Sequence, residues 1–151
     1  MGLDIDTILD QVASPALAVG WFDRVGLHEP KNPPGLGLTV AIWMQSIKPI
    51  QSSGLSQTSA LVLLNARLYT SMLQEPQDAI DPNLTKALSA LFAAYSADFT
   101  LGANVRGIDL LGQLSQGMTA TAGYLNQDGA VFRVYTVELP LIVDDVWEQT
   151  P

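Results

Sequence analysis

The chain has 151 residues, of which 48% are hydrophobic and only 15% are charged, and its formal net charge is −8. This length predicts one domain with a substantial core, and the low charge density indicates that other subunits cover part of the surface. An acidic chain with seven basic residues is not built to bind nucleic acid through its phosphates, and a chain without cysteine contains no disulfides, zinc–thiolate sites or cysteine nucleophiles.

The amino-terminal stretch has neither the basic nor the apolar region of a signal peptide. No apolar run reaches the ~20 residues that a membrane-spanning helix needs. We therefore expect synthesis in the cytoplasm and no membrane partner.

A helix is predicted near the amino terminus, because apolar residues recur there at the spacing of one helical face. These residues are Ile5, Ile8, Leu9 and Val12. Asp4 or Asp6 is suited to cap the first turn. Pro15 is expected to end, kink or restart this helix, and a second helical stretch is predicted over Ala16–Val25.

A long β-hairpin is predicted next, after a loop rich in Pro and Gly over His28–Gly37. Leu38–Ile50 has the pattern of the first strand and Ala60–Met72 that of the second, with a polar tip at Ser52–Ser59. Even positions of the second strand are apolar, whereas odd positions become polar from Asn65 onwards. One face of the strand is therefore expected in the core and the other at water or an interface, with the hairpin projecting beyond the core.

The clearest helix signal follows a linker, where Asp81-Pro82 combines an N-cap residue with a proline at the first helical position. The apolar face of this helix consists of Leu84, Ala87, Leu88, Leu91, Phe92 and Tyr95. Burial of each large apolar side chain contributes roughly 1.5–3 kcal/mol. The helix over residues 82–97 is therefore expected to pack on a sheet.

A second hairpin is predicted within Ala120–Trp147, because Asp128-Gly129 separates two β-rich runs. A two-residue turn places Tyr124 opposite Arg133, where the two side chains could form a cation–π pair. We interpret this pair as cross-strand packing rather than as a ligand platform.

Between the second helix and the second hairpin, a short strand is predicted within Val105–Leu111 and a flexible connection over Gly112–Gly117. The resulting order is helix, hairpin, helix, hairpin. This order predicts an α+β fold, in which an antiparallel or mixed β-sheet has helices packed on one face.

No constellation of residues points to catalysis or to a metal. His28 is the single histidine and lies in the Pro-rich loop, and the chain has no Gly-x-Ser-x-Gly motif. Asp144 and Asp145 are neighbours on a predicted strand, so they point to opposite faces and do not converge on one ion. Gly35-x-Gly37 precedes a strand and therefore lacks the context of a phosphate-binding loop. We expect no enzymatic activity and no cofactor.

Five stretches spread over nearly the whole chain carry a family resemblance. They are F-D-R-V-G-L-H-E-P-K (22–31), S-G-L-S-Q-T-S-A (53–60), Q-E-P-Q-D-A-I-D-P (74–82), Y-S-A-D-F-T-L-G (95–102) and G-Y-L-N-Q-D-G-A-V-F-R-V-Y (123–135). In these stretches the chain resembles the tail terminator family, the tail-completion and neck proteins of long-tailed (siphovirus) actinobacterial phages. It departs from compact members of that family in its longer Pro-rich loop and in a C-terminal extension over residues 140–151.

The resemblance implies a virion structural protein that forms a homo-hexameric ring at the head-proximal end of the tail tube. Such a ring binds the tail tube protein, stops its polymerisation and presents a surface to the stopper or connector protein of the neck. Double-stranded DNA passes through the lumen without specific binding, and an acidic lumen would suit the negative net charge. The chain would then be a single tail-terminator-like α+β domain over residues 1–151.

Candidate assembly contacts lie on the projecting hairpin around residues 50–60, on its second strand and near the carboxyl terminus. They are Ser53, Gly54, Leu55, Ser56, Asn65, Arg67 and Trp147. The hairpin tip is expected to contact the tube along the ring axis, and a tryptophan is suited to anchor an interface.

Three alternative functions stay open on the sequence. The first is a head-to-tail stopper or connector ring. The second is a carbohydrate- or host-binding module with an aromatic platform around Tyr124. The third is a small hydrolase that uses His28, which has the least support.

Overall fold

The chain folds into a mixed six-stranded β-sheet and two α-helices within residues 3–22, 24–27, 38–51, 56–71, 80–127 and 129–148, which the computed structural model describes. In chain order the elements are α1 (Ile5–Ala18), β1 (Arg24–Gly26), β2 (Leu38–Gln51), β3 (Gln57–Ser71), α2 (Ile80–Ala97), β4 (Gly107–Ile108), β5 (Thr119–Gln127) and β6 (Ala130–Glu148). The predicted α+β class and mixed sheet are confirmed. β4 is the short strand predicted within Val105–Leu111, whereas β1 was not predicted, so the expected order of helix, hairpin, helix, hairpin does not hold as stated.

The strand order is β1-β2-β3-β6-β4, and β5 pairs with the other half of the same edge of β6. β1 runs parallel to β2, and every other described pair is antiparallel. Both predicted hairpins are present as the β2–β3 and β5–β6 pairs. Residues 28–37 and 52–55, which include the Pro-rich loop and half of the predicted hairpin tip at Ser52–Ser59, lie outside the described residues. The other half of that tip is described, and β3 already begins at Gln57.

Strand β3 gives the sheet two chemically different faces, because successive side chains of a strand point to opposite sides. The first face carries the even residues of β3, and the second face carries Leu63, Asn65 and Arg67. Side chains on the first face that are 0% exposed are Ala60, Val62, Leu64, Ala66 and Leu68. The predicted burial of one strand face is therefore confirmed.

The main core joins this first face to buried side chains from both helices and from β6. Helix α1 contributes Ile8 and Val12, and helix α2 contributes Leu84 and Leu91. From β6 come Val137, Leu139 and Leu141. A smaller cluster of Ala41, Tyr69, Phe132 and Val134, with Trp43 and Leu125 packed against it, lies apart from this core.

Helix α1 begins as predicted, because the Asp4 carboxylate caps it by accepting from the Thr7 amide at 3.3 Å. Pro15 lies inside the helix without ending it. The predicted second helical stretch over Ala16–Val25 is wrong: α1 ends at Ala18, Gly20 adopts a φ of 75°, and the next described element is β1. Pairing with β2 satisfies the backbone groups of β1 that face it, whereas a short isolated helix is only marginally stable in water.

Helix α2 buries the predicted apolar face, with Leu84, Ala87, Leu91 and Tyr95 inside and Leu88 and Phe92 partly buried. The helix begins at Ile80, so the predicted N-cap role of Asp81 is wrong and this residue lies in the first helical turn. At the other end, the Tyr95 hydroxyl donates to the Val12 carbonyl oxygen at 2.8 Å and ties α2 to α1. Burial raises the pKa of this phenol well above its ordinary value.

The second hairpin has the predicted register, with Gln127 opposite Ala130 and Tyr124 opposite Arg133. Gly129 adopts a φ of 82°, which glycine tolerates in a tight turn. Residues 140–148, part of the expected C-terminal extension, continue β6 and pair with β3 and β4. This stretch therefore belongs to the sheet.

Candidate functional site

The second face of the sheet carries a polar patch built from three neighbouring strands. Trp43 lies opposite Asn65 on the β2–β3 pair, and Arg67 lies opposite Thr136 on the β3–β6 pair. Glu138 is the cross-strand partner of Asn65. We call these five half-buried residues the Arg67 patch.

The guanidinium of Arg67 contacts two side chains of the same chain, and these contacts fix its position. Its central carbon lies 5.2 Å from the centroid of the Trp43 ring, and its Nε donates to Thr136 Oγ1 at 3.1 Å. Among the described residues, Arg67 forms no ion pair with a carboxylate. Arginine and tryptophan are enriched where protein surfaces bind one another, because both offer a large contact area together with hydrogen-bond donors.

This patch unites two of the seven predicted contact residues, Asn65 and Arg67. Ser56 lies apart from them, exposed just before β3, and Ser53, Gly54 and Leu55 lie outside the described residues. Trp147 is partly buried against the main core, opposite Thr58. The indole of Trp147 therefore contributes to packing within the chain more than to an exposed contact surface.

The predicted Tyr124–Arg133 pair is confirmed, with the guanidinium carbon 4.5 Å from the centroid of the Tyr124 ring. The Tyr124 side chain is 66% exposed. Arg133 Nε also donates to the Asp81 carboxylate at 2.9 Å, so this pair links β6 to the first turn of α2.

The acidic pair near the end of β6 forms hydrogen bonds to residues from two other parts of the chain. Asp144 accepts from Arg106 Nε at 2.6 Å and from Ser59 Oγ at 3.3 Å, while the amide of Asp145 donates to the same Ser59 Oγ at 3.2 Å. The hydrogen bond from Arg106 holds the pKa of Asp144 below its ordinary value. Within the described ranges, no group of three or more acidic or histidine side chains could hold a metal ion.

The loop Asp109–Gly117 is ordered by a buried carboxylate that sequence reasoning did not single out. Asp109 is only 4% exposed, and its carboxylate accepts from the amides of Gln113 and Leu114 at 2.7 and 2.8 Å. The hydroxyl of Ser115 donates to the same carboxylate at 2.8 Å. The prediction of a flexible connection over Gly112–Gly117 is therefore wrong, because an Asp side chain can close a turn by binding amides a few residues further on.

The net electrostatic effect of this loop is to stabilise the charged form of Asp109. Desolvation by burial raises the pKa of the carboxyl, but the hydrogen bonds from Leu114, Gln113 and Ser115 outweigh it, so the pKa lies below its ordinary value. The signal in the sequence is the short spacing between Asp109 and a Gly- and Ser-containing turn.

Two apolar side chains of this loop are exposed. Leu111 is 96% exposed and Leu114 is 46% exposed, whereas the loop beneath them is closed by Asp109. A cavity of about 350 Å³ lies beside Leu111 and is lined in part by Phe99 and Arg106. Because the loop backbone is already ordered, contact through Leu111 would cost little backbone conformational entropy.

The sheet also has two open edges, one at each margin. β1 covers β2 only at Thr39–Ala41, so the rest of β2 has a described strand partner on one side alone. Strand β5 likewise pairs only with β6 among the described strands. On the second face, a groove of about 330 Å³ adjoins the open half of β2 and includes Lys48 and Glu138 in its lining.

No family model matches the chain, and no curated protein matches it at a significant level of similarity. Among the described residues, neither helix has the combination of length and apolar character required to cross a membrane.

Proposed function

We propose that the protein is a tail terminator of a long-tailed phage, which assembles as a homo-hexameric ring at the head-proximal end of the tail tube. The observation that carries the proposal is the pair of open sheet edges at opposite margins of one subunit. A closed ring with head-to-tail contacts requires two different surfaces on each subunit that fit one another. The resemblance of five stretches to the tail terminator family supplies the place of the ring in the virion.

The proposed ring binds the last ring of tail tube protein and blocks further addition. Its other axial face receives the stopper or connector protein of the neck, and DNA passes through the lumen. This role needs rigid surfaces and no catalytic group. It is compatible with the position of Asp144, whose carboxylate is fixed by hydrogen bonds from Arg106 and Ser59. In this subunit we infer that both helices lie on the first face of the sheet, because their buried side chains join the same core.

Several described surfaces are suited to these contacts. The Arg67 patch and the exposed Leu111 are chemically different, as two axial faces with different partners require. The hairpin tip predicted at Ser52–Ser59 is proposed to reach the tube. The net charge of −8 favours a lumen that repels DNA, and a solved ring with a basic lumen would contradict this part of the proposal.

Deletion of the gene from the phage tests the role directly. Loss of a terminator is expected to give abnormally long tails without heads, because tube polymerisation is no longer stopped. Complementation with the wild-type gene should restore normal tails, and electron microscopy measures their length. Headless tails of normal length would refute a terminator and favour the alternative of a stopper or connector ring.

A further inference from the structure

The two open edges of the sheet run in opposite directions. β2, β3, β6 and β5 lie side by side, and each of the three junctions between them is antiparallel. Three reversals make β5 antiparallel to β2. A second copy placed next to the first in the same orientation therefore meets β5 with an antiparallel β2, which is the commoner type of strand pairing.

Strand β5 lacks the features that normally protect an open edge. Its nine residues, Thr119–Gln127, include no proline, lysine or acidic residue. Exposed edges of this length are usually blocked by charge, proline or a covering segment, because their free amide and carbonyl groups would otherwise pair with other chains. Since no other strand of the described residues pairs with this edge of β5, we infer that a strand of another chain covers it on assembly.

Strand β2 offers the matching edge. It has 14 residues, of which β1 covers three, and its exposed half includes Ser46 and Ile47. Lys48 and Pro49 follow towards the hairpin tip and protect that part from unspecific pairing. Ser46 and Ile47 are therefore the part of this edge most accessible to a partner strand.

We propose that β5 of one copy pairs antiparallel with the open part of β2 in the next copy, so that the sheet continues from subunit to subunit. This inference rests on the proposed self-assembly and specifies which surfaces meet. Main-chain hydrogen bonds supply the attraction in such strand addition, and side chains at alternate positions set the register.

Single cysteines test the pairing in a chain that has none of its own. Thr121 on β5 and Ser46 on β2 are both exposed and both lie on the second face, since Thr121 is opposite Thr136 and Ser46 is opposite Leu63. Copies carrying Thr121→Cys are mixed with copies carrying Ser46→Cys and then oxidised. Lys48→Cys, two residues further on the same face, provides a second register.

We expect a linked species of about twice the 16.2 kDa chain mass in the mixture and none from either variant alone. Ala122→Cys is the matched control, because Ala122 is equally exposed on β5 but faces the other side of the sheet. It should not link to Ser46→Cys, since the two Cβ vectors diverge.

Three other results would each contradict a different part of the inference. Linking of Thr121→Cys alone would show a two-fold β5–β5 contact and reject the head-to-tail pairing. Rings that form in solution but do not link in either register, even with a flexible bismaleimide, would reject this interface and leave the ring intact. A chain that stays monomeric with tail tube protein present would reject the ring and the interface together.

Discussion

The two faces of β3 differ in burial and polarity, because one lies in the main core and the other carries the half-buried Asn65 and Arg67. On the first face, Leu64 and Ala66 are fully buried in the main core. On the second face, Asn65 and Arg67 are half-buried, and Arg67 contacts Trp43 and Thr136. The backbone is the same, so the difference comes from the alternation of apolar and polar side chains alone.

The difference between the two faces predicts which substitutions lower the free energy of unfolding and which do not. Residues of the first face contribute to the free energy of folding through burial, and a cavity there cannot be filled by water at low cost. On the second face, Asn65 and Arg67 are only half-buried, so truncating them is expected to cost less folding free energy. Assembly and stability should therefore respond to different substitutions on neighbouring residues.

The largest expected effect is that of Leu64→Ala. This substitution should lower the free energy of unfolding by about 2–5 kcal/mol, because it removes buried methyl groups and leaves a cavity. The matched control is Arg67→Ala on the other face, which should cost less than about 1 kcal/mol because its contacts are partly exposed. Urea denaturation followed by circular dichroism measures both, and equal losses would show that the two faces do not differ.

A smaller effect is expected at the contact between the helices. Tyr95→Phe removes the hydrogen bond from the buried hydroxyl to the Val12 carbonyl oxygen, at a cost of about 1–1.5 kcal/mol. Tyr124→Phe is the control, because the Tyr124 side chain is 66% exposed. Thermal unfolding should separate the two variants clearly. The same melting temperature for both would mean that water replaces the hydroxyl at Val12.

The smallest expected effect concerns the loop that holds Leu111. Asp109→Asn should cost about 1 kcal/mol at neutral pH, because the charge strengthens the hydrogen bonds from Gln113, Leu114 and Ser115. The folded pKa of Asp109 is lowered, so the unfolded state binds a proton first as the pH falls. The stabilisation by Asp109 is therefore complete above the unfolded pKa of about 3.9 and is lost as the pH falls through the folded pKa.

Unfolding measured at a series of pH values tests this sign. The difference in stability between wild type and Asp109→Asn should shrink as the pH falls below about 4. A difference that stays constant down to strongly acidic pH would show that the carboxylate charge does not hold the loop. Asp144 also has a lowered pKa and remains in both proteins, so its contribution cancels in this comparison.

Much of the fold could be predicted because it follows from short-range patterns. The alternation in β3, the helical spacing from Leu84 to Tyr95 and the turn before Ala130 each depend on residues a few positions apart. Periodicity sets the type of an element and the face that it buries. The register of the second hairpin followed from its turn length in the same way.

The candidate surfaces were less accessible to prediction, because they combine distant parts of the chain. Asn65 and Arg67 could be singled out as polar residues on an otherwise apolar strand, but their neighbours Thr136 and Glu138 come from β6. The open edge of β2 depends on how far β1 reaches along it. No local pattern encodes either fact.

Local periodicity and turn chemistry are enough to place the long strands and the two helices. The roles of the acidic side chains depend instead on how the elements pack. Asp81 binds Arg133, 52 residues away, and Asp144 binds Arg106, 38 residues away. A carboxylate accepts from whatever donor the folded chain brings within reach, so its partner is set by the packing of the elements and not by its own neighbours in sequence.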